Sequence, residues 1–245
     1  MKKMKKLIIL SVLMVFIMAP MVMADQVQVG YPGSAYGVYQ TGQGGEFTLK
    51  PDAGLSWILN YYDSKAKDVG VSGTFQSFCI EGLETISGYP ATYNAVINKN
   101  AMYGSQPPGG DPISKGTAYL YNEFLTGQLA GYNYTGTVTQ RKASADLLQK
   151  AIWWLEGEMS IGYNASNPFM LAVTNLFDNP LTINYNDAKD DNNGLYPVAA
   201  LNLYDAQGGF RQDQLVPIPE PASMLLLGSG LIGLAGFARR KFFKK

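Results

Sequence analysis

The chemistry open to this chain is narrow. It contains one cysteine and no histidine among 245 residues. Without histidine there is no Ser-His or Cys-His dyad and no imidazole metal ligand. A single cysteine allows neither an intrachain disulfide nor a thiolate zinc cluster. What remains is one thiol, the carboxylates and the amides. Cys79 stands in the string Phe78-Cys79-Ile80-Glu81, with Glu84 close behind. Glu156 and Glu158 follow Trp153-Trp154-Leu155, but at i, i+2 they fall on different faces of a helix, a poor arrangement for a glycosidase pair. Asp187, Asp190, Asp191, Asn192, Asn193 and Gly194 form an oxygen-rich loop of the kind calcium accepts. An EF-hand register there puts Lys189 at the first position and Ala200 at the twelfth, so a solvated acidic loop is expected, with no metal and no cofactor. The 16 tyrosines could stack on sugar rings, although filling strand faces is their expected use.

Charge narrows the partners. Bases and acids balance at 19 each over the whole chain, but Lys2, Lys3, Lys5, Lys6, Arg239, Arg240, Lys241, Lys244 and Lys245 crowd the two ends. Residues 25–216 hold 10 bases and 18 acids, a net charge of −8. A body that acidic has no electrostatic footprint for nucleic acid.

The two ends read as addresses. Residues 1–24 have a Lys-rich start, an apolar run from Leu7 to Met18 and Ala24 at the expected cut, the pattern of a secretory signal peptide. At the other end Val216-Pro217-Ile218-Pro219-Glu220-Pro221 is extended and incompatible with a helix. Ala222 to Ala238 follows, uncharged and largely apolar, at the lower length limit for a membrane helix. Arg239-Arg240-Lys241 closes it, and those cations belong on the cytoplasmic side. Pro219-Glu220-Pro221, a glycine-containing apolar run and an Arg-Arg-Lys end together resemble the PEP-CTERM sorting signal of exopolysaccharide-producing Gram-negative bacteria. The resemblance covers 216–245 and implies an exosortase as partner, a transient hold in the inner membrane, and delivery to the cell surface or extracellular matrix.

A second resemblance concerns the body. Seventy residues after Cys79 comes Leu148-Gln149-Lys150-Ala151-Ile152-Trp153. This string and Phe78-Cys79-Ile80-Glu81 resemble the paired motifs of surface thioester domains, found in adhesins of Gram-positive bacteria. That family usually has Thr before its Gln, where this chain has Leu148. The resemblance implies that the Cys79 and Gln149 side chains join as an internal thioester, which an amine on a partner surface protein or ligand then opens to form a covalent amide. The thioester survives only where water is excluded. Phe75, Phe78, Trp153 and Trp154 are the aromatic residues expected to keep it dry, and Glu81 or Glu84 the expected acceptor of the amine proton. Such a device is used once and is not a turnover enzyme. Two other readings stand beside it: a non-covalent matrix protein that binds exopolysaccharide or calcium, and, less favoured, a glycan hydrolase.

The elements that must position these residues divide the chain into a signal peptide (1–24), an ectodomain (25–215) and a sorting segment (216–245). Val27 to Val29, Tyr36 to Gln40, Glu46 to Leu49, Leu55 to Tyr62, Gly73 to Ile80 and Val198 to Tyr204 are strand candidates. Ser105 to Asp111 is a Pro/Gly loop. Helical periodicity begins at 113–130, is strongest over Ser144 to Glu158, and returns at Asn167 to Phe177, where Asn167 is a cap and Pro168 opens the first turn. On the middle helix Gln149 shares a face with Ala145, Ile152 and Trp153. Strands, then helices, then a closing strand predict an α+β fold, with a sandwich-like or barrel-like strand part and a helical subdomain.

Overall fold

Alternating burial organises the first strands of the computed structural model. It describes residues 25–30, 37–42, 44–67, 70–86, 90–102, 109–178 and 187–219. In β1 (Gln26–Val29), Val27 and Val29 face the core and Gln26 and Gln28 do not. β1 pairs antiparallel with β2 (Phe47–Pro51) and with β4 (Ala91–Asn98), and β2 pairs with β3 (Phe75–Ser77). β4 continues to β7 (Val198–Tyr204) and β7 to β8 (Phe210–Pro217), giving one antiparallel sheet of order β3-β2-β1-β4-β7-β8. A short ribbon of β5 (Asn100–Ala101) and β6 (Asp111–Pro112) forms a second sheet beside β7, whose Asn202 amide donates to the Asn100 carbonyl (3.1 Å).

The sheet is strongly curled, a half-barrel, and its two outer strands meet. Just past β3, the Ile80 N–H donates to the Asp213 carbonyl (3.0 Å) and the Leu215 N–H to the Phe78 carbonyl (3.0 Å), so Cys79 lies opposite Gln214 of β8. The Ser77 hydroxyl donates to the Leu215 carbonyl (2.6 Å), and the Tyr121 hydroxyl lies 2.9 Å from the same oxygen. This seam joins the two sheet edges over residues 78–80 and 213–215, and it places Cys79 on the closing joint.

The helices cover one side. A single turn, α1 (Ser64–Lys67), precedes β3. α2 (Lys115–Leu125) starts where the Ser114 hydroxyl accepts the Thr117 N–H. α3 (Val138–Leu155) starts at a capping box between Thr137 and Gln140, six residues earlier than the apolar stripe alone implies. α4 (Pro168–Phe177) has the expected Asn167 cap, whose amide also donates to the Leu147 carbonyl (2.8 Å) and ties α4 to α3.

The architecture is α+β, as expected, but several details differ. In the expected strand Tyr36 to Gln40, residues 37–40 form a turn with a single Gln40–Gly45 bridge. Leu55 to Tyr62 is no strand: Ser56–Tyr61 forms a 3-10 helix, started by the Asp52 carboxylate taking the Leu55 N–H (3.1 Å). β4 and β8 are not among the expected strands. At the end of β8, Val216 pairs with Ala199, Pro217 lies opposite Val198, and the Ile218 N–H donates to the Pro197 carbonyl. The signal peptide, Tyr36, 105–108 and 220–245 lie outside the described residues. Among the described residues no helix is long and apolar enough to cross a membrane.

Candidate functional site

Two elements bring Cys79 and Gln149 together. Cys79 is fixed by the seam, and Gln149 projects from the fourth turn of α3 toward it. Both are buried, at 1 % and 0 % exposure. The Gln149 carbonyl oxygen lies 3.3 Å from Cys79 Sγ and accepts the Cys79 backbone N–H (3.2 Å). The Gln149 amide nitrogen donates to the Cys79 carbonyl (2.8 Å). The carboxamide is thus clamped at both ends by one residue's backbone, with the thiol against its carbonyl.

The packing over this pair is unusually close. Gly44 lies on the Gln149 side chain, and a Cβ there would come within 2.6 Å of Gln149 Cγ and 3.1 Å of Trp153 Cη2. Its φ of +142° suits glycine as well. Gly44 is held by the segment leading into β2, and that segment is held by a buried ion pair. Arg141, on α3 two turns before Gln149, donates through Nε and Nη2 to the two Glu46 oxygens (2.6 and 2.8 Å). Its remaining donors reach the Lys65, Ala66 and Tyr134 carbonyls, and Tyr39 stacks on the guanidinium at 4.2 Å. Tyr132 also hydrogen-bonds Glu46. The bonds to Glu46 and the Tyr39 stack lock α3 to the segment that carries the Gly44 approach, and the bonds to Lys65 and Ala66 tie in α1 as well.

A cavity of about 260 Å³ opens beside Cys79, lined by Phe47, Glu84, Trp153, Met159 and Gln212 among others. Of the aromatic residues expected at the site, Trp153 borders this cavity. Phe75 packs on Tyr62, Phe78 makes edge contacts with Tyr121 and Phe124, and Trp154 meets Tyr163 and the Lys189 ammonium. All are buried, but Phe78 points away from Cys79 because neighbours along a strand face opposite sides. The site residues that spacing did not reveal are Gly44, Phe47, Met159 and Gln212. Three of these stand far from either motif, and none belongs to a reactive type.

The electrostatics are those of a dry, acidic pocket. Burial first, then the nearby Glu81, pushes the Cys79 thiol well above its ordinary range. The Trp153 indole N–H makes no well-aligned hydrogen bond, yet it lies near enough to the thiol to pull it in the other direction. Glu81 is raised to about 10 and Glu84 to about 8, in both cases by burial first and by the Asp213 charge second. At neutral pH both therefore hold protons, and in that state they donate protons rather than accept them. Glu81 also accepts the Asp213 N–H (3.2 Å), and the Gln212 amide donates to the Glu81 and Glu84 carbonyls, which anchors the loop to β8.

The remaining candidates lie elsewhere. Asp190 pairs with Lys115 (3.1 Å) and Asp191 bridges to Ser114, while Asp187 begins a separate 3-10 turn. No group of three or more acidic or thiol side chains among the described residues is placed to hold a metal ion. Glu156 is buried beneath Ser114, whose N–H and hydroxyl it accepts, and Glu158 accepts the Gly82 N–H.

Residues 217–241 match the PEP-CTERM protein-sorting motif. The chain therefore carries an exosortase-type sorting signal and is an exported protein, passing through the membrane on its way to the cell surface. Its motif residues Glu220, Pro221, Arg239 and Arg240 and the apolar run 222–238 lie outside the described residues; Pro219 lies just beyond β8. No curated protein and no solved structure matches the chain.

Proposed function

We propose that this exported surface protein carries an internal thioester between Cys79 and Gln149 and uses it once, to attach covalently to an amine on a partner. The observation that carries the reading is the buried contact of Cys79 Sγ with the Gln149 carboxamide, clamped by the Cys79 backbone. Attack of Sγ on the side-chain carbonyl carbon forms the C–S bond. The carbonyl oxygen then takes negative charge where the Cys79 N–H already points, a one-donor oxyanion site. The C–N bond breaks, and ammonia leaves with the proton the thiol gives up, relayed through a protonated Glu81 or Glu84. Burial disfavours the thiolate but not the neutral acyl product, so the dryness that slows bond formation also protects the bond from hydrolysis. An incoming amine reverses the geometry: it bonds to the acyl carbon, the C–S bond breaks, and the thiol is restored.

The test is intact mass of the purified chain under amine-free conditions. A thioester predicts a deficit equal to one ammonia that is absent in both Cys79→Ala and Gln149→Ala and that added methylamine converts to an excess of one CH2 over the full predicted mass. Full mass with a titratable thiol would overturn it. In that event the non-covalent matrix reading, in which the same body binds exopolysaccharide or calcium, is the one left to assay.

A further inference from the structure

The turn after α3 folds back over the Cys79 cavity in a backbone conformation it would not choose alone. Gly157, Met159 and Ser160 all have positive φ, at 75°, 55° and 51°. For Met and Ser this is a sparsely populated region, and it persists only when surrounding contacts enforce it. Two contacts do so. The Glu158 carboxylate takes the Gly82 N–H (3.1 Å), and the Met159 side chain lies across Gly82 so closely that a Cβ there would fall 2.1 Å from Met159 Cγ. Gly82 is the third residue after Cys79. Met159 lines the same cavity as Cys79 and Trp153, yet it is 45 % exposed. A flexible apolar side chain, half in solvent and held by strain over the mouth of a cavity, contributes little to the core and much to closure.

We propose that Met159 is the gate of the Cys79 cavity and the residue that sets which nucleophiles reach it. Closed, it shields the Cys79–Gln149 contact from water. Displaced outward, it relieves its backbone strain and admits a slender group on an unbranched stem, while branched or bulky nucleophiles are turned away. The consequence for acyl transfer rests on the thioester reading; the control of access to Cys79 does not.

The experiment separates the two. In full-length chain bearing Gln149→Ala, Cys79 can only be a thiol. Its labelling rate is measured with iodoacetamide and with a bulky fluorescein maleimide. Because the rate scales with the fraction of open molecules, Met159→Gly should raise maleimide labelling by about tenfold or more, and iodoacetamide labelling by less. Met159→Leu, which keeps the apolar bulk, should leave both rates near those of Met159. Gly82→Ala should act as Met159→Gly does, by pushing the thioether off the mouth, and it decides the matter if the glycine variant fails to fold. Unchanged rates in the opened variants would overturn the gate whether or not a thioester forms. A full-mass wild-type chain would overturn the thioester and leave the labelling result to stand.

Discussion

Removing Arg141 should unfold the support of the site before it touches the reacting atoms. Arg141 is 1 % exposed, and its guanidinium answers both Glu46 oxygens and three backbone carbonyls. Arg141→Met keeps the stem and deletes every one of those bonds. Breaking a buried pair by removing one partner costs about 3–5 kcal/mol, because the other charge is left unpaired. At about 2–4 °C per kcal/mol for a domain of this size, the melting temperature should fall by about 6–20 °C. The penalty should also depend on pH. Burial is the main force raising the Glu46 pKa. Without the guanidinium it rises further, so the folded variant takes up a proton that the unfolded chain releases, and its deficit shrinks as pH falls. Urea unfolding at mildly acidic and neutral pH reads both effects. A loss below about 1 kcal/mol, the worth of an exposed pair, or a loss indifferent to pH would refute the account of α3 and β2 as locked through this cluster.

Two further outcomes follow from the site. Gly44→Ala places a methyl on Gln149 and strains the backbone, so it should cost about 1–3 kcal/mol and abolish the mass deficit; Gly42→Ala, with φ +91° and no atom within 4 Å of its Cβ, should cost stability alone, and equal mass effects at both positions would sink the packing argument. The acidic pocket should make the fold weaken with alkali. Glu84 and Glu81 are raised from 4.5 to about 8 and about 10 in the folded chain, so the stability they confer is full below the unfolded value and is lost as pH rises through the folded ones. The urea midpoint should therefore decline from weakly acidic to alkaline pH and decline less in Glu84→Gln; a midpoint that rises across that window would contradict it.

Much of this arrangement can be read from residue order, and the remainder fails for definable reasons. The Asn167-Pro168 helix start and the apolar stripe of α3 are local signals, and local signals survive folding. β4 escapes notice because only Tyr93 and Ala95 of Ala91–Asn98 are buried, between asparagines that weaken the alternation. β8 escapes for the opposite reason: Gln212, Asp213 and Gln214 are buried polar residues in a strand whose pattern looks like a surface segment, with Gln212 spent on the Glu81 and Glu84 carbonyls and Asp213 on Met102 and Asn202. Leu55 to Tyr62 has strand composition, but one aspartate side chain at Asp52 redirects it. At the site, the two motif strings point to Cys79 and Gln149. Gly44 is one of several glycines in a run without hydrophobic pattern, and nothing marks it until α3 is laid against it.

The position of β8 also has a mechanical consequence. The strand that closes the seam at Cys79 is the one that ends at Pro217, where the sorting motif begins, with no spacer between them. Tension entering the fold from the sorting end therefore travels first along β8. There it meets the ladder to β7 on one flank and the bonds to Phe78 and Ile80 on the other. A pull along the strand loads those bonds side by side, so that they share the force instead of parting one after another. The joint that carries the thiol is thus braced on both flanks against a pull from the sorting end.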